Sequence, residues 1–177
     1  MELQLTNKSI FISGSTSGIG FAIAQGFLKE GAKVIINGRS EDTVQEAVEK
    51  LKALEPNASV SGIAADFRDA KAIHEIHKNI HQVDILINNV GIFSSKLFEE
   101  TTDEEWLEMF QVNVMSAVQL SRYFLPKMLD QNWGRILFIS SECAQLVPED
   151  LIAYSTTKAA LLSLSRGLAQ TTKGTQV

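Results

Sequence analysis

Ser9-Ile10-Phe11-Ile12-Ser13-Gly14-Ser15-Thr16-Ser17-Gly18-Ile19-Gly20 opens the first structured unit of this 177-residue chain and decides its fold. The first four residues are a short apolar run rich in β-branching, and Gly14 stops it. Beyond the glycines, Phe21, Ala22, Ala24, Phe27 and Leu28 recur at helical spacing, which predicts strand, glycine loop, helix. Gly31 ends that helix and Val34-Ile35-Ile36 supplies a second buried strand before Gly38, completing a βαβ unit. A helix over 41–54 follows, apolar at Val44, Ala47, Val48, Leu51 and Leu54 and closed by Pro56. Then come a third strand over 59–65, a short helix over about 69–80 and a fourth strand over 83–87. Thr102-x-x-Glu105 is a capping-box candidate opening a long helix to about Leu129, whose last turn Pro126 is expected to bend. A fifth strand over 135–140 and a helix over 154–172 complete the pattern, and 174–177 reads as the approach to a sixth strand.

Strands rich in Val and Ile alternating with helices require a parallel sheet covered on both faces, because each parallel connection needs a crossover. The expected fold is α/β: a doubly wound, mainly parallel sheet in three αβα layers, forming a single domain over 1–177. Ligands of such sheets bind beyond the carboxyl ends of the strands, where strand order reverses. The glycine loop sits at one such end. Glycines there let the backbone approach a pyrophosphate, held by the amides and positive end of the following helix. The spacing is Gly-x-x-x-Gly-x-Gly, not the commoner Gly-x-Gly-x-x-Gly, and taken alone the loop also reads as a turn without a ligand.

Composition narrows the function classes. With 45% hydrophobic and 21% charged residues and 3 prolines, the chain is an ordinary globular protein. Sixteen basic against 21 acidic residues give a formal charge of −5 with no basic run, so nucleic acid is not an expected partner. The single cysteine, Cys143, cannot form an internal disulfide, which fits a reducing cytoplasm. Apolar runs fall far short of the about 20 residues that span a bilayer, and the N-terminus lacks a signal-peptide core, so a soluble cytoplasmic protein is expected.

Further motifs fall in order along the chain: Asn88-Asn89-Val90-Gly91 after the fourth strand, Asn113 in the long helix, Ser140-Ser141 after the fifth strand, and Tyr154-x-x-x-Lys158 in the last helix. With the glycine loop, and with Ser141 placed 13 residues before Tyr154, this set resembles the short-chain dehydrogenase/reductase family over Lys8 to Val177. The resemblance implies a Rossmann-like oxidoreductase domain. It implies that Tyr154 is the acid or base at the substrate oxygen, that Lys158 also holds the nicotinamide ribose, that Ser141 orients the carbonyl or alcohol, and that Asn113 supports a proton relay. The chemistry agrees, since residues four apart share a helical face and an ammonium beside a phenol favours the phenolate. The resemblance also places the cofactor on Gly14, Ser15, Thr16 and Ser17, on Gly18, Ile19 and Gly20, and on Asn89, Val90 and Gly91. Asp66, with Phe67, would face the adenine, although Asp66 reads equally well as the N-cap of the next helix.

At the end of the second strand, where a carboxylate would accept both ribose hydroxyls, stand Gly38, Arg39 and Ser40. A guanidinium can hold a 2′-phosphate bidentately with no acid to repel it, so NADP(H) is expected in preference to NAD(H). The alternative is Arg39 as a solvated turn residue. Two other constellations carry less. His74, His77 and His81 share a helical stripe, but Ile73, Ile76 and Ile80 form the adjacent buried stripe, which leaves the histidines at a solvated border and no metal site expected. Cys143 has no base near it in sequence and reads as a small apolar filler, and Trp106, Met109, Phe110 and Val114 as core or interface.

The resemblance implies continuation beyond Val177 into a sixth strand, a substrate-covering segment and a last strand, so the domain is expected to be incomplete at its C-terminus, with its final strands missing. The fifth strand would then be an exposed apolar edge through Ile136-Leu137-Phe138-Ile139. The two long helices are the faces that pair in family dimers, which implies a homodimer or homotetramer. The expected function is hydride transfer between NADP(H) and a small-molecule carbonyl or secondary alcohol, with 3-oxoacyl thioesters, sugar alcohols and ketones all compatible. The rival is a nucleotide-binding or interaction module without turnover.

Overall fold

Along β1 (Ser9–Ile12), Ile10 and Ile12 enter one core and Phe11 the other, the two-residue alternation that lets a parallel strand feed both faces of a sheet. β4 (Ile85–Asn88) repeats it, with Ile85 and Ile87 on the first face and Leu86 on the second. The computed structural model describes residues 3–177. Its five strands, completed by β2 (Lys33–Gly38), β3 (Ser59–Ala64) and β5 (Arg135–Phe138), form a parallel sheet in the order β3-β2-β1-β4-β5. After β3 the chain returns to lay β4 against β1, so strand order reverses between those two strands. That is where this architecture places ligands.

Helices α1 (Gly18–Lys29) and α2 (Glu41–Leu54) cover the first face, burying Ala24, Leu28, Val44, Ala47, Val48 and Leu51. The second face is covered by α3 (Ala72–Asn79) and α5 (Ser116–Asp130), through Ile73, Ile76, Leu120, Phe124 and Met128. Packed with this layer are α4 (Asp103–Phe110) and α6 (Ile152–Thr171), which contact each other, and α6 also contacts β5. The three-layer α/β reading is thus the observed fold. No helix among the described residues is long and apolar enough to cross a membrane.

Several local expectations need correction. The long helix begins at the expected capping box, with Thr102 and Glu105 bonded reciprocally, but it is not continuous. Gln111–Met115 widens into a π turn, closed by the Ser116 N–H donating to the Gln111 carbonyl five residues back. Past Pro126 the helix runs on to Asp130. Pro126 and Arg122 are both solvent-exposed, so water can satisfy the Arg122 carbonyl that loses its partner. The short helix starts only at Ala72, because the Asp66 and Asp69 carboxylates accept from the Arg68 and Lys71 amides and hold two turns first. Asp66 is therefore not its N-cap. His74 and His81 are exposed, as the border reading expects, but His77 is half-buried, its ring stacked on Tyr123 at 3.6 Å. Residues 174–177 form no strand, although the Gln176 carbonyl accepts from Gly134 N–H at 3.4 Å and from the Arg135 guanidinium at 2.7 Å, beside the start of β5. β5 lies at the sheet edge with Leu137 exposed.

At the amino ends of β1 and β4, Asp84 fastens the two strands. Its carboxylate accepts from the Ser9 amide and hydroxyl, both at 2.8 Å, with Lys8 Nζ at 3.5 Å. Burial pulls its pKa upward, but the Ser9 donors and Lys8 together outweigh burial and hold it below the ordinary 3.8. Because the folded value lies below the unfolded one, the stabilisation is present above the ordinary carboxylate range and is lost as pH falls toward the folded value. Asp84→Ala is expected to cost about 1.5–3 kcal/mol in urea unfolding at neutral pH. The gap between variant and native chain should narrow as pH falls below 3.8; a gap independent of pH would refute the role of the charge.

Candidate functional site

Where β1 ends, its carboxyl terminus is tied to that of β4. Ser13 Oγ accepts the amides of Asn89 and Val90 at 3.0 and 3.1 Å, and Asn89 Nδ2 donates to the carbonyls of Ser13 and Gly14 at 3.0 and 2.7 Å. Gly14 adopts φ +61°, and a Cβ there would lie 2.8 Å from the Val90 Cα, so the close passage of the two chain segments admits only glycine. Gly20 is likewise buried against the Asn89 amide. Ser15 departs from expectation. It is fully buried, its hydroxyl donating to the Ile12 carbonyl at 2.7 Å and accepting the Asn37 amide at 2.9 Å, so its side chain closes the ends of β1 and β2 and does not face a ligand.

The mouth of the loop is different. Ser17 precedes α1 in an extended conformation, and its side chain makes no cap bond; no acidic residue lies in the first turn. α2, by contrast, is capped by Ser40, whose hydroxyl accepts the Thr43 amide, and α4 by its capping box. The first amides of α1 thus lack the side-chain acceptor that α2 and α4 have, and Gly18, with nothing within 4 Å of where a Cβ would stand, keeps their approach open. A helix end in this state suits an anion.

In front of it lies a cavity of about 590 Å³ bounded by Gly14, Thr16, Ser17, Asn89, Val90 and Gly91, and at its far end by Gly38, Arg39, Ser40, Asp66 and Phe67. Arg39 is exposed at this rim. Arg68 also lines the cavity; its guanidinium bonds to the Glu108 carboxylate and sits 3.7 Å from Asp66, so its charge is already engaged. Asn37 is a buried organiser that the sequence reading missed. Its Oδ1 accepts the Gly14 amide at 3.0 Å, and its Nδ2 lies 3.2–3.3 Å from the carbonyls of Gly38, Ile63 and Ala65. The only sequence signal was a polar residue ending an otherwise apolar run.

A smaller hollow, about 130 Å³, shares Asn89, Gly91 and Ile92 with the cavity and adds Ile19, Ser140, Tyr154 and Lys158. Lys158 is only 4% exposed, and its Nζ donates to the Ile139 carbonyl at 2.8 Å. An ammonium has three donors, so this single acceptor leaves two directed at the hollow. Burial without a facing carboxylate lowers its pKa from the ordinary 10.5. The Tyr154 ring centroid is 5.7 Å from Nζ, and Phe93 packs against the same ring at 5.9 Å. Gly91 makes room: a Cβ there would stand 3.3 Å from Nζ.

Asn113 lies in the π turn, buried, with Oδ1 accepting the Ile92 amide at 2.7 Å and Nδ2 donating to the Ile92 carbonyl and Thr157 Oγ, both at 2.9 Å. Its side chain is spent on holding the segment after β4 to α6, and Thr157 is a second participant not anticipated. Ser141 stands just past β5, where its hydroxyl accepts the Cys143 amide at 3.2 Å. It is Ser140, bonded to the Lys158 carbonyl at 3.1 Å, that borders the hollow. Among the described residues, no three or more His, Cys, Asp or Glu are grouped to hold a metal ion.

Comparison with known proteins agrees with this geometry. The family model described as short chain dehydrogenase matches residues 8–177. An uncharacterized oxidoreductase of Bacillus subtilis, YvrD, is 52% identical over 180 residues, covering 100% of this chain and 67% of that protein. The 3-oxoacyl-[acyl-carrier-protein] reductase FabG of Aquifex aeolicus is 34% identical over 96% of this chain and 70% of its own length. Among solved structures, L-sorbose reductase from Gluconobacter frateurii, complexed with NADPH and L-sorbose, superposes with a TM-score of 0.89 at 34% identity, covering 96% of this chain and 66% of that one. The chain spans about two thirds of the length of these relatives. A match that takes in every strand of the sheet and both hollows at their carboxyl ends leaves one assignment: this chain belongs to the short-chain dehydrogenase family.

Proposed function

We propose that this chain carries the nucleotide site and the proton-transfer residues of an NADP(H)-dependent oxidoreductase acting on a carbonyl or secondary alcohol. The observation that supports this most is Lys158: a buried ammonium with one protein acceptor, set beside Tyr154 where the hollow joins the cavity. The site suits a dinucleotide, since the uncapped α1 terminus provides for the pyrophosphate and the spare Lys158 donors for ribose hydroxyls. When bound, the nicotinamide supplies or accepts the hydride.

Tyr154 performs the proton step. On reduction its phenol gives a proton to the substrate oxygen as the carbonyl carbon becomes an alcohol carbon, and on oxidation the phenolate takes it back. Lys158 stabilises the phenolate electrostatically. Ser141 donates its hydroxyl proton to the same substrate oxygen, a donor left free because its oxygen only accepts from the Cys143 amide. Asn113 is a positioning residue, because its amide is committed to Ile92 and Thr157. Arg39 meets the 2′-phosphate at the open rim, where β2 ends in no carboxylate and the nearby Asp66 carboxylate is engaged by the Arg68 amide and guanidinium. The NADPH complex of the sorbose reductase supports both the phosphorylated nucleotide and a small polyol or ketose as substrate class.

Tyr154→Phe is expected to abolish NADPH oxidation by a ketose panel while NADPH still quenches protein fluorescence with near-native affinity; undiminished turnover in the variant would refute the proton step. Nucleotide binding without turnover in the native chain would favour a binding module. Arg39→Ala should weaken NADPH by about 10–100-fold, the loss of one or two charged hydrogen bonds, and leave NADH nearly unchanged. Equal losses for both nucleotides would remove Arg39 from the 2′-phosphate.

A further inference from the structure

We infer that Thr16 is a second determinant of nucleotide choice, acting as a pair with Gly38. The inference rests on reading the cavity as a dinucleotide site, and it concerns why that site has no carboxylate at the end of β2.

Gly38 is the last residue of β2, buried, and lines the cavity together with Thr16. A Cβ at position 38 would lie 2.5 Å from Thr16 Cγ2 and 3.0 Å from Val44 Cγ2. Gly38 does not have positive φ, so the requirement for glycine is one of space and not of backbone conformation. The strand cannot move aside cheaply. Gly38 pairs with Ala64, and its carbonyl accepts the Ala65 amide at 2.9 Å and Asn37 Nδ2 at 3.3 Å. Val44 is fixed in the core of the first face. Relief must come at Thr16, a half-buried β-branched residue with few χ1 options.

The consequence is exclusion as well as attraction. While Thr16 fills this space, no side chain can grow from position 38, so the group that would bind the two hydroxyls of an unphosphorylated ribose has no root. The ribose end is left to Arg39. Nucleotide choice is therefore set by three residues, of which Thr16 never needs to touch the phosphate.

Two mutant cycles read by nucleotide titration and thermal melting test the pair. Gly38→Asp alone should bind NADH no better than the native chain. Thr16→Ala/Gly38→Asp should bind NADH at least about tenfold more tightly than Gly38→Asp, a non-additive gain, while NADPH stays at least about tenfold weaker than in the native chain. Equal NADH affinity with and without Thr16→Ala would overturn the inference. Should the aspartate variants fail to fold, Gly38→Ala and Thr16→Ala/Gly38→Ala carry the same steric question without charge. Gly38→Ala should melt below the native chain and regain most of the loss when Thr16→Ala is added, and a native-like melting temperature for Gly38→Ala would refute the clash. Melting requires no nucleotide, so this arm judges the pair even if the native chain proves to prefer NADH, a result that would overturn the proposed cofactor instead.

Discussion

Four main-chain segments converge where β1 and β4 part company, and the burial of their polar groups is the constraint on which the rest of the structure depends. A parallel sheet satisfies its amides and carbonyls only as far as its ladders extend. Beyond them, asparagines take over. Asn89 holds the Ser13 and Gly14 carbonyls, Asn37 holds the Gly14 amide and faces three carbonyls of β2 and β3, and Asn113 grips both polar groups of Ile92. An amide side chain offers a donor and an acceptor at a fixed separation, so it can stand in for one rung of a strand without introducing charge. Leaving any such group unpaired would cost about 1–3 kcal/mol, which explains why the switch point is built from neutral amides and not from carboxylates.

Charge is admitted at two places with opposite outcomes. Asp84 is satisfied within the protein, and its pKa falls. Lys158 is not, and burial lowers its pKa, so the folded chain bears a cost that is fully present below the lowered value and is relieved as pH rises toward 10.5. The uncapped start of α1 is a second unmet demand. Both deficits face the same connected hollows. A ligand that supplies an anion to one and hydroxyl acceptors to the other binds only the folded chain, and so adds to its stability.

What the sequence made legible was whatever is written locally. The βαβ pattern needs only hydrophobic period, the Thr102–Glu105 box only its spacing, and the Tyr154–Lys158 pair only the helical repeat. What stayed hidden depends on partners distant in sequence. Ser15 looks like a loop residue facing a ligand until Asn37 claims its hydroxyl, and Asn37 itself is a lone polar residue until three strand ends are brought together. The π turn at Gln111–Met115 leaves no mark on hydrophobic period, since one extra residue shifts a helical stripe little over eight positions. The stripe of isoleucines places the histidines at a solvated border, and only the docking of α5 shows Tyr123 stacked on His77. Ser140 and Ser141 differ by one residue at a strand end, where side chains alternate faces, and no sequence rule chooses which borders the hollow.

The two ends of the cavity are held by different kinds of hardware, and this sets which can change. At one end Lys158, Asn113 and Thr157 are all buried and bonded to one another's elements, so replacing one strands the others. Such losses run to several kcal/mol when a buried polar group is orphaned, against total stabilities of about 5–15 kcal/mol. At the other end Arg39 is exposed ahead of α2, where a substitution typically moves stability by no more than about 0.5 kcal/mol, whereas Ser40 caps α2 and its loss costs about 1 kcal/mol. The surroundings of Lys158 are therefore locked to the fold. The rim at Arg39 is free to drift except at the Ser40 cap and at Gly38, where the core behind β2 and the glycine loop in front of it meet across the width of a methyl group.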